Sequence, residues 1–218
     1  MTTTTTERPN VHEMVVVHRA FRREFRLAPD LIRGVPAGDA ARASVVAGHL
    51  RLVLNGLEMH HTGEDAILWP LLLERAAPST GLVETMQAQH LRIEAYVARI
   101  VPSLDSWERQ PTPDTGVALA ALVEEFTSAL IEHLDLEERE ILPLVLRHLT
   151  AAEWDTVGDH GIDMMSKKEL PLLFGAVLED CDDAERRLML RKLPGHVRLL
   201  LRTLGARNYR RYVSAVRS

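Results

Sequence analysis

The chain has 218 residues, 46% of them hydrophobic, and a formal net charge of −5, so it can bury a sizeable core and does not have the composition of a disordered chain. No segment approaches the roughly 18 uninterrupted apolar residues of a membrane span, and the single cysteine, Cys181, excludes an internal disulfide. Residues 1–10 lack the apolar segment of a signal peptide, and we expect them to form a disordered leader of a cytoplasmic protein.

Apolar residues recur at steps of three and four along almost the whole chain, a pattern that predicts an all-α protein. The first helix is expected over residues 11–27, with Pro29 breaking or restarting it. A second, longer helix is expected over residues 39–76 and a third over residues 82–101. A loop with three prolines is expected over residues 102–116.

The fourth helix is expected over residues 117–149. Four helices with short or moderate connections predict an antiparallel up-down four-helix bundle over residues 11–149. The Thr-x-x-Glu pattern from Thr150 to Glu153 has the form of a capping box. It starts a C-terminal helical extension, residues 150–218, which we expect to dock on or beside the bundle.

One motif occurs twice in the predicted helices, over residues 60–70 and residues 133–143. Each copy begins with His, which is followed by Glu four residues later and by an acidic residue five residues later. Leu or Ile comes eight residues after the His, and Pro comes ten residues after it. The second and fourth predicted helices therefore carry histidine and acidic side chains at the same spacing.

Residues four apart lie on the same face of a helix, one turn from each other. Each copy thus brings an imidazole and a carboxylate together, His60 with Glu64 and His133 with Glu137. These ligand types suit iron, manganese and zinc, and the absence of thiolates disfavours a structural zinc cluster. Because two buried His–Glu pairs would be costly without compensation, we expect the copies to be two halves of a metal site.

Two further histidines, His18 on the first helix and His90 on the third, are expected to face the same level. With them the sequence resembles the hemerythrin-like, or HHE cation-binding, family. Its signature is a lone His on the first helix, His-x-x-x-Glu on the second, His on the third and His-x-x-x-Glu or Asp on the fourth. The resemblance covers about residues 11–149.

This resemblance implies a bundle that holds two iron ions, bridged by carboxylates and by an oxo or hydroxo species, with manganese or zinc as possible substitutes. The implied ligand roles are Glu64 and Glu137 as bridges, His18 and His60 on one iron, and His90 and His133 on the other.

The sequence departs from the oxygen-carrying hemerythrins one turn after His90, where they have a second His and this chain has Glu94. As a ligand, Glu94 would add negative charge to that iron, stabilise the ferric state and disfavour reversible dioxygen carriage. The alternative is that Glu94 points aside. The spacing of His133 and Glu137 follows the bacterial form of the family.

Other residues near the motif copies are expected to have supporting roles. His61 and Asp65 form a second pair four residues apart, and with Glu138 they are expected to orient the ligands from behind. The alternative for His61 and Asp65 is a solvated pair. Gly56 and Ala129 each lie one turn before a motif histidine, where a small residue either leaves room for a bound diatomic molecule or allows close helix packing.

The basic residues are concentrated at the C-terminus, where residues 186–218 contain ten Lys or Arg and no Asp or Glu. The favoured interpretation is that an apolar face over residues 193–204 docks on the acidic bundle. The alternative is that this basic helix, with Tyr209 and Tyr212 among its arginines, contacts nucleic acid, an anionic membrane surface or an acidic partner.

Three function hypotheses follow from these patterns. The first is a non-haem diiron protein that binds dioxygen, nitric oxide or peroxide as a sensor, scavenger or store. The second is an enzyme, a diiron oxidase or a peroxide-decomposing oxidoreductase. The third is a regulatory helical protein whose metal staples the bundle and whose basic tail binds a partner.

Competing classes of site are disfavoured by the motifs that the chain lacks. The Glu-x-x-His spacing of ferritin-like diiron sites occurs only once, from Glu58 to His61. There is no Gly-rich phosphate loop and no Gly-x-Ser-x-Gly nucleophile turn.

Overall fold

A computed structural model describes residues 8–191 and 193–218, apart from the side chain of Arg202. All regular structure in these residues is helical, and they contain no strand. Most of the expected leader, residues 1–7, lies outside the described residues. Pro9, in contrast, is buried, and the backbone oxygen of Asn10 accepts a 3.2 Å hydrogen bond from the indole of Trp154. Within the described ranges no helix is long and apolar enough to cross a membrane.

Four long helices form the main body. In chain order they are α1, His12–Arg33; α2, residues 40–75, made of Ala40–Gly63, a π-helical turn Glu64–Leu68 and Trp69–Arg75; α3, Thr80–Arg109; and α4, residues 113–148, made of Pro113–Leu136, a π-helical turn Glu137–Ile141 and Leu142–His148. A short 3-10 turn, Ala77–Ser79, joins α2 to α3. Helices α1 and α3 each pack against both α2 and α4. We call these four helices the helix ring.

Two apolar clusters fill the helix ring, with a layer of polar side chains between them. One cluster contains Phe25, Trp107 and Phe126, and the other contains Trp69 and Val145. Along α1 and α3 the chain passes from the second cluster to the first, and along α2 and α4 it passes in the opposite order. The polar layer is therefore reached by all four helices at about the middle of the ring.

Pro29 lies inside α1 and does not end it, so the predicted break is wrong. A proline inside a helix leaves the carbonyl four residues earlier without its usual donor. That carbonyl belongs to Phe25, and it accepts a 3.3 Å hydrogen bond from the buried hydroxyl of Thr127 on α4. Tertiary structure replaces the bond that the proline removes, so α1 continues.

Pro102 lies inside α3, and the predicted loop over residues 102–116 is reduced to the few residues between Arg109 and Pro113. The reason is packing beyond the proline, because Leu104 and Trp107 are 0% and 1% exposed. Burying a large aromatic and a leucine outweighs the cost that Pro102 imposes on the helix.

The C-terminal extension consists of four shorter helices. They are α5, Ala151–Met164; α6, Leu170–Leu178; α7, Asp183–Leu190; and α8, residues 195–217, made of Gly195–Leu200, a π-helical turn Leu201–Gly205 and Ala206–Arg217. The predicted capping box at Thr150 and Glu153 is confirmed. Helix α5 packs on α2, α6 on α1 and α2, α7 on α1, and α8 on α2 and α6. The extension thus covers the face of the helix ring that α1 and α2 form.

The inner face of α8 differs from the predicted one. Leu201 and Tyr209 are 5% and 6% exposed, whereas Leu200 and Leu204, which we expected on the docking face, are 51% and 59% exposed. The π-helical turn over Leu201–Gly205 inserts an additional residue, so the buried face continues eight residues later at Tyr209. The ring of Tyr209 lies directly over Gly175 of α6.

A buried carboxylate fastens α8 to the helix ring. Glu24 of α1 is 2% exposed and accepts hydrogen bonds from Arg23 at 2.6 Å and Arg217 at 3.0 Å, with His49 at 3.2 Å. The hydroxyl of Tyr212 lies 3.0 Å from the other ring nitrogen of His49. Burial alone would raise the pKa of Glu24, but the hydrogen bond with His49 and the charge of Arg23 outweigh it and lower the pKa to about 2. The hydroxyl of Tyr212 on α8 is thus connected to Glu24 of α1 through His49.

Replacing Gly175 by Ala should weaken the docking of α8. The new methyl group would lie 2.7 Å from Cβ of Tyr209 and closer still to its ring, so we expect overpacking to lower the free energy of unfolding by about 1–3 kcal/mol. The matched control is Gly48→Ala on α2, where nothing lies within 4 Å of the added atom; it should raise stability by about 0.5–1 kcal/mol. Urea denaturation measures both, and equal changes in the two variants would contradict the packing shown.

Acid should weaken the same interface through Glu24. Its folded-state pKa of about 2 lies below its ordinary value of 4.5, so its contribution is fully present above pH 4.5 and is lost as the pH falls towards 2. The shift corresponds to about 3 kcal/mol. The stability difference between the parent and Glu24→Gln should accordingly shrink over that range. Glu58→Gln, at an exposed position of α2, is the control, and a pH-independent difference for Glu24→Gln would refute this role.

Candidate metal centre

The polar layer of the helix ring is made of imidazoles and carboxylates from all four helices. Its members form two clusters, in each of which one ligand atom per residue lies within 4.8 Å of the others. Cluster A is His18, His60, Glu64 and Glu137, and cluster B is His61, Glu64, His90 and His133. The side chains of His18, Glu64, His133 and Glu137 are 0% exposed. The structure thus brings together the six residues that the sequence motifs singled out, with His61 in addition.

Glu64 belongs to both clusters and connects them. Its Oε1 lies 3.1 Å from Nε2 of His60, and its Oε2 lies 3.3 Å from Nε2 of His90. One carboxylate oxygen therefore faces each cluster. Separations near 3 Å are those of adjacent donor atoms that share an ion at roughly 2.1 Å each, so these atoms are spaced as ligands.

Glu137 lies in cluster A together with Glu64. Its Oε2 is 3.4 Å from Nε2 of His18 in cluster A and 3.7 Å from Nε2 of His133 in cluster B. Burial and the neighbouring charge of Glu64 raise the pKa of Glu137 well above its usual range. A cation between these carboxylates would remove that repulsion and favour the ionised form.

Seven buried atoms of the two clusters have no hydrogen-bond partner among the described residues. They are Nε2 of His61, His90 and His133, and both carboxylate oxygens of Glu64 and of Glu137. Buried polar atoms in folded proteins are almost always hydrogen-bonded, and an unsatisfied one costs free energy. Seven of the nine buried side-chain atoms without a partner in the described residues thus lie in one layer, and they have the arrangement of ligands for a cation.

Three of the histidines are oriented through their other ring nitrogen. The partners of these Nδ1 atoms are Glu138 Oε1 at 2.8 Å from His18, Asp65 Oδ1 at 2.8 Å from His90, and Gln89 Oε1 at 3.2 Å from His133. Arg22 donates a 2.6 Å hydrogen bond to Glu138, and the indole of Trp69 donates a 2.8 Å bond to Asp65. Such partners hold the ring so that Nε2 faces the metal position.

His60 differs from these three histidines. The described residues provide no hydrogen-bond partner for its Nδ1, and its ring instead packs 5.4 Å from the ring of Phe21. Its side chain is 13% exposed, against 0% for His18 and 2% for His90. His60 is therefore the most exposed residue of the two clusters.

The pKa values suit metal binding at most of these positions. Burial lowers the pKa of His60 to about 4 and that of His133 to about 3, so both are neutral at pH 7, which is the form that binds a metal. Burial also acts to lower the pKa of His90, but hydrogen bonds with Asp65 and Glu64 outweigh it and raise the pKa to about 9. A metal at cluster B would have to displace that proton.

Both motif copies contain a π-helical turn that begins at the glutamate. The backbone N–H of Trp69 bonds to the carbonyl of Glu64, and that of Leu142 bonds to the carbonyl of Glu137, five residues back in each case. Each turn ends two residues before a proline that cannot donate to the regular helix ladder, and a π-helical turn is a frequent feature of functional sites. The shared proline explains why the same distortion occurs twice.

His61 is placed differently from what the sequence led us to expect, whereas Glu94 has one of the two placements left open, pointing aside. His61, which we expected behind the ligands, lies in cluster B with its ring stacked 4.0 Å from that of His90. Glu94 is exposed on α3 and belongs to neither cluster. The additional donor in cluster B is therefore a third imidazole from α2. The signal in the sequence was the His60–His61 doublet, whose members can serve two sites because they point about 100° apart.

Several supporting residues were not predicted. Arg22 follows His18 by four residues and Trp69 follows Asp65 by four, so helical spacing could have identified both. Gln89 had no such signal, because it reaches His133 on a different helix.

A cavity of about 170 Å³ lies beside His60, between α1, α2 and the extension. Gly56 forms part of its wall, and an added Cβ there would lie 2.9 Å from Leu173 of α6. Ala129 is also buried, at 4% exposure, but it does not line the cavity. Of the two small residues, Gly56 is the one that lines this cavity.

Comparison with known proteins agrees with this geometry. A family model described as the hemerythrin HHE cation binding domain matches residues 10–145, which is more than half of the chain and nearly all of the helix ring. No curated protein and no solved structure matches the chain. The extension lies outside the matched region. With the buried histidine–glutamate clusters that fit a metal site, the chain belongs to the hemerythrin HHE cation-binding family.

Proposed function

We propose that this chain is a cytoplasmic non-haem diiron protein that binds dioxygen, nitric oxide or peroxide at a carboxylate-bridged two-iron site. The observation that carries the proposal is Glu64, whose two oxygens face separate clusters of buried, unsatisfied ligand atoms. Two clusters joined by one carboxylate favour a pair of ions over a single ion.

The donor set is compatible with iron. It consists of imidazole nitrogens and carboxylate oxygens without any thiolate, which suits iron and manganese and permits zinc. The helix arrangement we infer is an antiparallel up-down four-helix bundle, supported by the alternating order in which the helices traverse the two apolar clusters.

The two clusters are not equivalent, which supports a ligand position at cluster A. Cluster A has two imidazoles and two carboxylates, whereas cluster B has three imidazoles and one carboxylate. His60 of cluster A also lines the cavity. When bound, the iron pair supplies the electrons and the open coordination position for a small ligand. The protein supplies the surroundings, since the complete burial of Glu64 and Glu137 excludes bulk water.

A diiron oxidase or peroxide-decomposing enzyme is the second candidate. The cavity favours it, because a volume of about 170 Å³ is several times the roughly 30 Å³ that a water-sized molecule occupies. Rapid reoxidation of the reduced protein with sustained peroxide consumption would identify the enzyme. A stable adduct that is released intact would identify the sensor or store.

The metal content of the purified protein tests the proposal directly. We expect about two iron ions per chain, and we expect His133→Ala to lose at least one of them because the imidazole is removed from a closed, buried cluster. The charge-transfer absorption of an oxygen-bridged ferric pair should disappear with it. His196→Ala, at an exposed position of α8, should retain both ions. Iron-free protein, or equal metal content in the two variants, would overturn the diiron proposal.

A second pair of variants tests which residue provides the additional donor of cluster B. His61→Ala should weaken binding of one ion by about tenfold or more, because its buried Nε2 has no other partner in the described chain. Glu94→Ala should leave affinity and absorption unchanged, because Glu94 is exposed and outside both clusters. Metal titration followed by absorption provides the comparison. The reverse ranking would return Glu94 to the ligand set.

A further inference from the structure

The cavity beside His60 is built by the extension as much as by the helix ring. The ring contributes Met14, Phe21 and Met59, and the extension contributes Trp154, Leu173 and Met189. Since the extension lies outside the matched region of the family, this cavity is a feature of the chain beyond the domain that defines its family.

The wall of the cavity is almost entirely apolar. Besides His60, its charged or titratable members are Glu13 and Glu24, and both carboxylates already have cationic partners. Glu13 accepts a 3.1 Å hydrogen bond from Arg191, and Glu24 bonds to Arg23 and Arg217. An occupant therefore meets hydrocarbon, sulfur and aromatic surface, with the imidazole of His60 as the accessible polar group.

The volume is that of a small organic molecule. An apolar protein cavity of about 150 Å³ stays dry and takes up benzene, and this one measures about 170 Å³. The space persists although larger side chains could reduce it. A Cβ on Gly161 of α5 would have only the backbone oxygen of Met59 within 4 Å, at 3.9 Å. A side chain added at Gly161, which lines the cavity, would thus have room to extend.

The side chains of the wall favour an aromatic occupant. Methionine is flexible and polarisable and makes favourable contacts with ring edges, and four of the chain's methionines, Met14, Met59, Met165 and Met189, line the cavity. Phe21, Phe174 and Trp154 add ring surfaces, which prefer edge or offset contacts with another ring.

We propose that this cavity is a binding site for a small apolar aromatic molecule, about the size of benzene, held between the helix ring and the extension against His60. Binding in the cavity does not require a metal. The statement that the bound molecule lies next to an ion in cluster A rests on the proposed function.

Methyl NMR of the full chain, labelled with ¹³C at the methionine methyls and loaded with zinc, tests the site with benzene as the probe. Saturable shifts are expected for Met14, Met59, Met165 and Met189. Met86 is buried away from the cavity and Met164 is 48% exposed, so both should stay unchanged. Shifts spread over all methionines, or no saturation up to the solubility of benzene, would overturn the proposal.

Two variants change the size of the cavity in opposite directions. Gly161→Leu should fill it and weaken benzene binding by about tenfold or more, while the same change on the exposed surface, Gly48→Leu, should have less than about a twofold effect. Leu173→Ala should enlarge it and strengthen binding of butylbenzene by about tenfold. An unchanged benzene affinity in folded Gly161→Leu would refute the site. If Gly161→Leu does not fold, the site would be refuted by Leu173→Ala binding butylbenzene with the same affinity as the parent protein.

The position of the ligand relative to the metal is measured separately. The ¹⁹F signal of bound fluorobenzene should broaden strongly when manganese replaces zinc in the protein, because paramagnetic relaxation falls steeply with distance. Methionine shifts without this broadening, in protein that contains manganese, would refute the contact with His60. Methionine shifts in protein that binds no metal would instead refute the diiron proposal and leave the cavity site standing.

Discussion

The burial of carboxylates and imidazoles in one layer of a helical interior is the constraint on which the rest of the structure depends. Glu64 and Glu137 are 0% exposed and lie between two apolar clusters. Charge in such surroundings is tolerated only when opposite charge and hydrogen bonds compensate it. Protein groups compensate the outer side of the layer, where Asp65, Glu138 and Gln89 bond to histidines. The inner side has unsatisfied donor atoms instead, and this asymmetry is what defines a cation site.

The backbone is adapted to the same layer. Each of the two motif copies has a π-helical turn beginning at its glutamate, with a proline after it. In a regular helix the proline has no N–H to donate to the carbonyl four residues earlier, and the wider turn takes up that irregularity next to the glutamate. The free-energy cost of each π-helical turn arises in a densely packed region, since Leu68 and Ile141 in these turns are 0% exposed.

The extension adds surroundings to the candidate metal centre that lie outside the matched family domain. It packs on α1 and α2, the two helices that carry His18 and His60 of cluster A. It is fastened at its C-terminal end by Arg217 and Tyr212 to the network around Glu24 and His49. The result is an apolar cavity against His60, the more exposed histidine of cluster A. The wall of the cavity beside His60 is therefore built partly by residues outside the matched family domain.

The sequence by itself determined the helical class and six of the seven residues that form the two clusters. Helical periodicity indicated the inward face of each helix, and the repeated His-x-x-x-Glu spacing placed an imidazole and a carboxylate one turn apart in a way that any α-helix must preserve. His18 and His90 could be added because a complete set of ligands needs contributions from all four helices. The capping box at Thr150 was equally local, because it depends on four consecutive residues.

Only the tertiary structure decided which residues of adjacent helices contact each other. The hydroxyl of Thr127 allows α1 to continue through Pro29, and the burial of Trp107 allows α3 to continue past Pro102. His61 lies in cluster B while Glu94 remains in solvent. Sequence spacing specifies directions around one helix axis, but it does not specify the distance or rotation of the next helix, and these set every contact between helices.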